Sequence, residues 1–318
     1  MRNCPILSKP QTIKILYNLF MIIREIQCKQ ALGKCGFPGG GLAINPYVGC
    51  NHSCVYCYAR FIKRFTGHKE KWGEFVDARI NIAEVLEKEL TKKRFWTSQN
   101  DGQQVYIGTV TDPYQPIEGK YQLTRKVLET LLNQGSTLCQ GGTLTTGLRV
   151  SILTKSDLVL RDLDLLKKFK SIDVNFTITS LDEKWIRLTE PFAPTIERRL
   201  KAIKELTDHG VTCYVMMGPY WPLFTDVEKL FKKFKETGVK RVFTESFNTY
   251  GGNFIGVEEV LKSNYPQLLP KIKEILFDKK KFAEFYTDAK KKVEQLSAKY
   301  QIPATIYFGL GHAGKFKD

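Results

Sequence analysis

The sequence predicts an α/β protein in which strands and helices alternate. Six strand-like runs follow one another along the chain, and after each comes a segment with the 3.6-residue apolar period of a helix. A length of 318 residues suits one large domain with appendages. Alternation of this kind is typical of βα units that form a parallel sheet, in which the carboxyl ends of the strands carry the chemistry.

The predicted elements run in a regular order. The first strand covers residues 43–48 and ends at a cysteine-containing loop, after which a helix covers residues 58–65. Asn81 and Glu84 form a capping-box-like start for the next helix. The later strands cover residues 104–110, 149–154, 173–179, 212–217 and 240–244. Their helices cover residues 123–132, 158–169, 195–206, 227–234 and 257–261, and the helical, basic tail ends in a further strand over 304–308.

Residues 1–40 are predicted to form an appendage outside the sheet. The run 13–23 is apolar but contains Lys14 and Asn18, so it predicts an amphipathic helix rather than a membrane span, which needs about 20 apolar residues. No cleavage site of small residues follows the run, and the chain shows no targeting motif. The cytoplasm is therefore the expected location.

The chain carries an excess of positive charge. Its 49 Lys and Arg residues outnumber its 33 Asp and Glu residues, which gives a formal charge of +16. A surplus of this size attracts nucleic acid or another polyanion. Each basic run is also explained as the solvated face of a separate helix: 92–94, 167–168, 232–233, 279–281 and 290–292. Their sum favours an anionic partner.

The loop after the first predicted strand contains three cysteines, Cys50, Cys54 and Cys57. Their spacing suits three corners of a [4Fe-4S] cluster and leaves the fourth iron open. An open iron is what S-adenosylmethionine requires if it is to bind the cluster, accept one electron and split into methionine and a 5′-deoxyadenosyl radical. Val55 and Tyr56 lie between Cys54 and Cys57 and can shield a cluster from water.

A zinc site is the main alternative for this motif. His52 can complete a Cys3His set, and zinc is the commoner partner of Cys and His clusters. Against zinc, the CxxC pair of a zinc knuckle is usually matched by a distant second pair, which this chain lacks. Eight cysteines are too few for a disulfide scaffold in a chain of this length, so a reducing compartment is expected.

With this motif the chain resembles the radical SAM superfamily. Five segments, in the same order along the chain, are together similar to its spore photoproduct lyase-like branch: residues 45–50, 54–60, 72–77, 111–116 and 154–156. The resemblance implies an α/β fold that is a partial TIM-type (β/α)6 barrel over residues 41–250, with the cluster at its mouth. An N-terminal helical extension, residues 1–40, and a C-terminal helical region, residues 251–318, then flank the barrel.

Polar residues at the ends of the predicted strands are candidates for cofactor contacts. Asp112 offers a carboxylate to the methionyl ammonium, Lys155 offers a cation to the methionyl carboxylate, and the hydroxyls of Thr111 and Ser180 suit the ribose. A turn, an exposed cation and a helix-start serine are the alternatives that remain open. The resemblance implies cofactor contacts from these four residues and from Tyr56. Three more residues beyond strand ends are predicted to be turn or cap residues: Glu190, Glu245 and Asn248.

The resemblance also implies a catalytic role for Tyr58. In true photoproduct lyases the cluster-loop tyrosines, matched here by Tyr56 and Tyr58, are linked to radical return, and a cysteine near the end of the second strand gives the hydrogen atom. The matching segment here, residues 108–112, contains no thiol. The chain is therefore more similar to the uncharacterised relatives of the lyases than to a true photoproduct lyase, and Cys28 and Cys35 are alternative thiol donors.

Two functions follow from the sequence. The first is a radical SAM enzyme with a [4Fe-4S] cluster, S-adenosylmethionine and an electron donor such as ferredoxin or flavodoxin; its expected substrate is nucleic acid, in a lyase or repair-like reaction, with a peptide as the alternative. The second is a zinc-stabilised protein that binds nucleic acid without catalysis, for which His52 and the basic surplus are the motivation.

Overall fold

A computed structural model describes residues 21–37, 39–91, 104–137 and 148–309 of the chain. Its strands are β1 (Ile22–Ile26), β2 (Gly33–Lys34), β3 (Leu42–Ile44), β4 (Tyr47–Val48), β5 (Phe75–Arg79), β6 (Gln104–Ile107), β7 (Arg149–Thr154), β8 (Ile172–Thr177), β9 (Thr212–Tyr220), β10 (Arg241–Ser246) and β11 (Ala304–Tyr307). The α-helices are α1 (Ile82–Leu90), α2 (Glu118–Tyr121), α3 (Leu123–Thr137), α4 (Leu163–Leu166), α5 (Glu183–Thr189), α6 (Ile196–Asp208), α7 (Val227–Thr237), α8 (Asn253–Asn264), α9 (Leu269–Phe277) and α10 (Lys279–Tyr300). Three 3-10 helices cover Tyr58–Phe65, Asp157–Asp162 and Tyr250–Gly252.

The main sheet contains eight strands in the order β11-β10-β9-β8-β7-β6-β3-β2. Neighbouring strands from β3 to β11 are parallel, and only β2 pairs antiparallel with its neighbour. Within the described ranges no pairing joins β11 to β2, so the sheet is open. The predicted α/β class is confirmed, because the six predicted strands lie side by side in chain order with helices between them.

A second, smaller sheet has the order β1-β5-β4 and corrects two predictions. The predicted strand over 43–48 is in fact two strands in different sheets, since β3 pairs with β6 and β4 pairs with β5. Pro46 separates them, and proline has no N–H for a sheet ladder.

The predicted N-terminal helix over 13–23 is wrong at its end. Ile22 and Ile23 begin β1 and pair in parallel with Phe75 and Val76 of β5. Branched side chains at Cβ favour an extended backbone, and β5 offers a free edge to a strand. Residues 13–20 of the predicted helix lie outside the described residues. The same is true of Cys4, Cys139 and residues 138–147 of the Gly/Thr-rich stretch.

Two predicted helical features also differ from the structure. The single helix over 158–169 is a 3-10 helix followed by the short α4. Asn81 precedes α1 but does not cap it, because its side-chain amide accepts a hydrogen bond from Cys28 N (2.8 Å) and donates one to Cys28 O (3.0 Å). Asn81 therefore ties the segment before β2 to the start of α1.

The core lies between the main sheet and the helices. Strand residues alternate between the two faces, and those facing the helices are fully buried, as Ile152 and Phe176 illustrate. Cys213 in β9 is also fully buried, as predicted for a core thiol. The C-terminal helices α8 to α10 lead to β11, which adds a parallel strand beside β10. None of the helices described combines the length and apolarity that crossing a bilayer demands.

Candidate active site

A cleft lies at the edge of the main sheet where the carboxyl ends of the parallel strands meet. The loop after β4 and the ends of β6 to β10 all contribute to its lining, as a parallel sheet requires of its functional edge. Its polar and sulfur-bearing lining residues include Cys50, His52, Cys54, Tyr56, Cys57, Tyr58, Thr109, Thr111, Asp112, Thr154, Lys155, Thr177, Glu245, Ser246, Asn248 and Asn253.

The three cysteines of the motif share this cleft. Cys50 and Cys54 are buried, Cys57 is half-buried, and all three are free thiols. Burial raises the pKa of each thiol, that of Cys50 to about 12. Thiolates are the form that binds metal, so an adjacent cation or metal centre is needed to hold these groups ionised. Three free thiols, two of them buried and one half-buried, line one opening and therefore fit an iron-sulfur cluster.

Tight packing fixes the backbone of the cysteine loop. Gly49 has φ +85°, and a Cβ there would lie 2.3 Å from the carbonyl oxygen of Phe75. Gly73 has φ +97°, and a Cβ there would lie 2.1 Å from Ser53 Oγ. Val55 N donates to the carbonyl oxygen of Thr189 at 2.9 Å. The loop thus rests on β5 on one side and on the end of α5 on the other.

Asp112 joins three of the loops around the cleft. Its carboxylate accepts hydrogen bonds from Thr154 Oγ1 (2.7 Å) and Lys155 N (2.7 Å) of the loop after β7, and from Tyr114 N (2.9 Å). His52 Nδ1 of the cysteine loop lies 3.3 Å from Asp112 Oδ2. Burial opposes ionisation, but His52 and these donors hold the pKa of Asp112 below its ordinary value. The geometry makes Asp112 a positioning residue, and its contact with the methionyl ammonium stays a prediction.

Thr111 has a similar positioning role. Its hydroxyl donates to the carbonyl oxygen of Gly49 at 2.6 Å and accepts from Gln115 Nε2 at 3.0 Å. Gln115 in turn accepts from Asn51 N at 2.8 Å. The loop after β6 therefore holds both flanks of Cys50 in place.

Beside the cysteines, Tyr56 caps a buried ion pair that sequence reasoning missed. The Tyr56 hydroxyl donates to the carboxylate of Glu190, and Arg199 Nη2 donates to the same carboxylate at 2.5 Å. Glu190 and Arg199 have no exposed side-chain area. Glu190 is the C-cap of α5, as predicted for a turn or cap residue, and its backbone N–H donates to the carbonyl oxygen of Ile186 at 2.7 Å. The prediction missed that its side chain is also buried against Arg199. The sequence signal was an acidic residue beyond a strand end on the active edge, but its burial depends on packing.

Lys155 lies next to this pair. Its Nζ is 5.7 Å from the centre of the Tyr56 ring. Burial disfavours the ammonium, but the Cys54 thiol and the Glu190 carboxylate raise the pKa of Lys155 above its ordinary value. Lys155 is therefore a charged group in the cleft, as its predicted role requires.

Tyr58 and Ser180 have different outcomes. Tyr58 lines the cleft, its hydroxyl donates to the carbonyl oxygen of Thr109, and burial raises the pKa of the phenol. Ser180 is not among the lining residues: its hydroxyl donates to the carbonyl oxygen of Phe224 and accepts from Asp182 N at 3.0 Å. The structure therefore does not bring Ser180 to the cofactor cleft, since β8 ends at Thr177 and gives that residue to the lining instead.

The remaining predicted residues also differ in whether they lie at the cleft. Glu245 and Asn248, predicted as turn or cap residues, both line the cleft. Cys35 Sγ accepts a hydrogen bond from Phe37 N at 3.5 Å, and Phe37 lines the cleft, whereas the backbone of Cys28 is bonded to the side chain of Asn81. Of the two predicted thiol donors, Cys35 is the one beside the cleft.

The thiols do not form a site for one metal ion. In the described part of the chain, no three His, Cys, Asp or Glu side chains converge closely enough to hold a single ion. His52 contacts Asp112, and its Nε2 has no hydrogen-bond partner there.

The family model that describes the radical SAM superfamily matches residues 44–232. The chain belongs to the radical SAM superfamily. An uncharacterised protein of Methanocaldococcus jannaschii, MJ0683, is 33% identical over 251 residues, which are 77% of this chain and 84% of that protein. A radical SAM Nalpha-GlyT isomerase of Pseudomonas phage M6 is 24% identical over 64% of this chain and 39% of the phage protein.

Among solved structures, the radical SAM fold of this chain is similar to that of spore photoproduct lyase complexed with dinucleoside spore photoproduct. The TM-score is 0.62, with 15% identity over 97% of this chain and 87% of the lyase chain. At this identity the similarity shows the fold alone. It agrees with the branch that the sequence resembles.

Membership of the radical SAM superfamily makes the protein an enzyme of that class. The hypothesis of a zinc-stabilised binding protein without catalysis is therefore wrong. The family implies S-adenosylmethionine and an iron-sulfur cluster, and the buried cysteines with the Lys155 ammonium fit this pair of cofactors.

Proposed function

We propose that this radical SAM enzyme holds a [4Fe-4S] cluster through Cys50, Cys54 and Cys57 and cleaves S-adenosylmethionine reductively. The observation that supports this most is that the three free thiols line the same cleft as the Lys155 ammonium. When bound, the cluster supplies one electron to S-adenosylmethionine, whose cleavage gives methionine and a 5′-deoxyadenosyl radical that abstracts hydrogen from the substrate. An external reductant, such as a ferredoxin or a flavodoxin, must supply that electron.

Lys155 binds and orients in this proposal. Its ammonium offsets the negative charge that deprotonated Cys54 and its partners bring into a buried site. The same cation suits the methionyl carboxylate of S-adenosylmethionine. The Glu190 carboxylate is already paired with Arg199, so Lys155 keeps capacity for an added anion.

An aromatic wall excludes water from the cysteine side of the cleft. The Tyr56 ring packs edge to face on Trp221 at 5.3 Å, and Trp221 packs on Phe247 at 4.8 Å. Trp221 is only 1% exposed, and Phe247 lines the cleft. A dry site protects reactive intermediates from solvent.

Tyr58 is the residue that we assign to hydrogen-atom return. It lines the cleft, and its hydroxyl donates a hydrogen bond to the carbonyl oxygen of Thr109.

We propose nucleic acid as the substrate class. The formal charge of +16 supports an anionic partner. The fold is also similar to that of a lyase whose structure was solved with a dinucleoside photoproduct, and this similarity supports nucleic acid as the substrate class. A peptide substrate is the alternative, and the choice between them is an outcome of the binding experiment described below.

Cofactor cleavage tests the proposed function directly. The protein is reconstituted with iron and sulfide without oxygen, reduced with dithionite in the presence of S-adenosylmethionine, and assayed for 5′-deoxyadenosine. Cys54→Ala removes one of the three cysteines proposed to bind the cluster and is expected to lose most of the 5′-deoxyadenosine, because three sulfurs are needed to hold the cluster and leave one iron open. Cys28→Ala is the matched control, since this thiol does not line the cleft.

Each outcome of this assay decides something. Iron and sulfide in the wild type, with loss of 5′-deoxyadenosine in Cys54→Ala alone, supports the proposal. One tightly held zinc with no iron, or equal product from the wild type and Cys54→Ala, overturns it.

A further inference from the structure

One surface beside the cleft combines exposed aromatic rings with unpaired cations. The 3-10 helix Tyr58–Phe65 begins inside the cleft and leaves it with two exposed rings, Phe61 at 46% and Phe65 at 73% exposure. The Arg64 guanidinium lies 5.7 Å from the centre of the Phe61 ring and 4.6 Å from that of Phe65. We call residues 60–71 the aromatic basic segment.

The charge of this segment is strongly positive. It contains one acidic residue, Glu70, and five basic residues: Arg60, Lys63, Arg64, Lys69 and Lys71. Glu70 is paired with His68 at 2.8 Å. None of the five basic residues forms an ion pair with a carboxylate in the part of the chain that the structure describes, and Arg60 instead donates to backbone carbonyl oxygens of the cysteine loop. Arg64, Lys69 and Lys71 are exposed, whereas Lys63 is half-buried and donates from Nζ to Lys69 O at 3.1 Å. Three cations therefore face outward without a carboxylate to neutralise them in the part of the chain that the structure describes.

The segment is held rigidly at the rim of the cleft. Arg60 donates from Nε to Cys57 O at 3.0 Å and also donates to Val55 O, so it is anchored to the cysteine loop. His68 is buried, stacks on Phe75 with ring centres 3.9 Å apart, and contacts Asp77 at 2.8 Å. The backbone that carries the two exposed phenylalanines is therefore anchored to the cysteine loop at one end and to β5 at the other, and it begins directly after Ala59, which lines the cleft. A rigid platform loses little entropy when it binds a ligand.

We propose that the aromatic basic segment binds a single-stranded stretch of nucleic acid and guides one of its nucleotides into the cleft. This inference rests on the proposed function and narrows its substrate class. Unpaired bases stack on exposed aromatic side chains, and cations beside them hold the phosphates. In a duplex the bases are stacked on each other and are not available to stack on the rings of Phe61 and Phe65. An acidic protein would use the cations but not the rings.

The expected effects have measurable sizes. Loss of a stacked base costs about 5-fold to 150-fold in affinity when the aromatic residue is replaced by alanine. Each phosphate contact on a single strand contributes about 0.7 to the slope of log affinity against log salt. Phe65→Ala is therefore expected to weaken single-strand binding at unchanged salt slope, whereas Arg64→Ala lowers the slope by about 0.7.

The experiment uses the full chain, reconstituted without oxygen, and fluorescein-labelled 20-nucleotide DNA and RNA, each as a single strand and as a duplex. Fluorescence anisotropy gives the affinities over a range of salt concentrations. Phe65→Trp keeps a stacking surface and is expected to bind like the wild type. Phe277→Ala is the matched control, because Phe277 is 53% exposed but lies in α9, outside the segment. Circular dichroism checks that each variant is folded.

A preference for single strands that falls at least 5-fold in Phe65→Ala and is kept in Phe65→Trp and Phe277→Ala supports the proposal. Equal affinity of Phe65→Ala and wild type, or equal affinity for duplex and single strand, overturns it. No binding of nucleic acid also overturns it, and an acidic polypeptide that binds instead identifies the other class. The wild-type 5′-deoxyadenosine assay without nucleic acid distinguishes this failure from failure of the proposed function.

Discussion

Replacing Glu190 with glutamine leaves the Arg199 guanidinium buried without a counter-charge. The two side chains are fully buried and paired at 2.5 Å. Arg199 also donates to the carbonyl oxygens of Pro194 (2.9 Å) and Thr177 (3.0 Å), so it cannot swing out to water without breaking these contacts. Glutamine keeps the shape of the side chain, and the change in stability therefore reports the lost charge.

The size of the effect follows from the burial. Removing one partner of a buried ion pair costs about 3–5 kcal/mol. For a chain of 318 residues, an unfolding entropy of about 2.1 cal/mol/K per residue converts this loss to a fall in Tm of about 4–8 °C. The matched control is Asp157→Asn, which removes the partner of Arg198, the residue before Arg199 and a side chain that is 55% exposed. An exposed pair is worth less than about 1 kcal/mol, so the control should move Tm by less than about 2 °C.

The assay is thermal unfolding of reduced protein, followed by circular dichroism between pH 3.5 and 8. Burial opposes ionisation of Glu190, but Arg199 and Lys155 keep its pKa below the ordinary carboxyl value. A lowered pKa contributes stability above the unfolded-state pKa, and this contribution is lost as the pH falls through the folded-state pKa. The gap in Tm between wild type and Glu190→Gln should therefore narrow in acid. A gap below 2 °C at pH 7.5, or one that widens in acid, refutes the reasoning.

Two more predictions concern the cysteine loop and the opposite end of the sheet. Gly49→Ala places a Cβ 2.3 Å from the carbonyl oxygen of Phe75 and should lose most of the iron that the wild type binds after reconstitution. Gly67→Ala is the control and should keep its iron, because Gly67 also has a positive φ, +70°, but no atom lies within 4 Å of the added Cβ. Equal iron content in the two variants speaks against the packing argument. Asp173→Asn should stabilise the protein by up to about 3 kcal/mol at pH 7.5, since burial raises the pKa of Asp173 to about 6 and so disfavours its carboxylate. The Asp173 carboxyl binds its proton more tightly in the folded protein than in the unfolded chain. The stability of Asp173→Asn relative to the wild type, measured by urea unfolding, should therefore grow from about pH 4 to pH 6. A variant that is less stable than the wild type at pH 7.5 rules the explanation out.

Local pattern in the sequence predicts the main sheet well and the smaller sheet poorly. Strand β7, Arg149–Thr154, has the predicted bounds, because its apolar alternation alone decides where it runs. Strand β5 contains Asp77 and Arg79, charges that suggest a solvated segment. Asp77 is nevertheless buried, since His68 contacts it at 2.8 Å. That contact depends on the folded chain and leaves no local signal.

Some residues of the candidate site can be predicted from the sequence, and others cannot. Cys50, Cys54 and Cys57 are predicted from spacing alone, because ligands to one cluster must be close in the chain or be brought together by the fold. Lys155 follows from its place after a strand. Glu190 could not be assigned from the sequence, since its partner Arg199 comes from α6 and its burial is a tertiary property.

The most direct test is an anaerobic crystal structure of the reconstituted protein with S-adenosylmethionine, with anomalous data collected at the iron edge. We expect four irons at the cleft, three of them bound by Cys50, Cys54 and Cys57, and S-adenosylmethionine at the fourth. A single zinc ion at the three thiols, or a fourth protein ligand that closes the cluster, would contradict it.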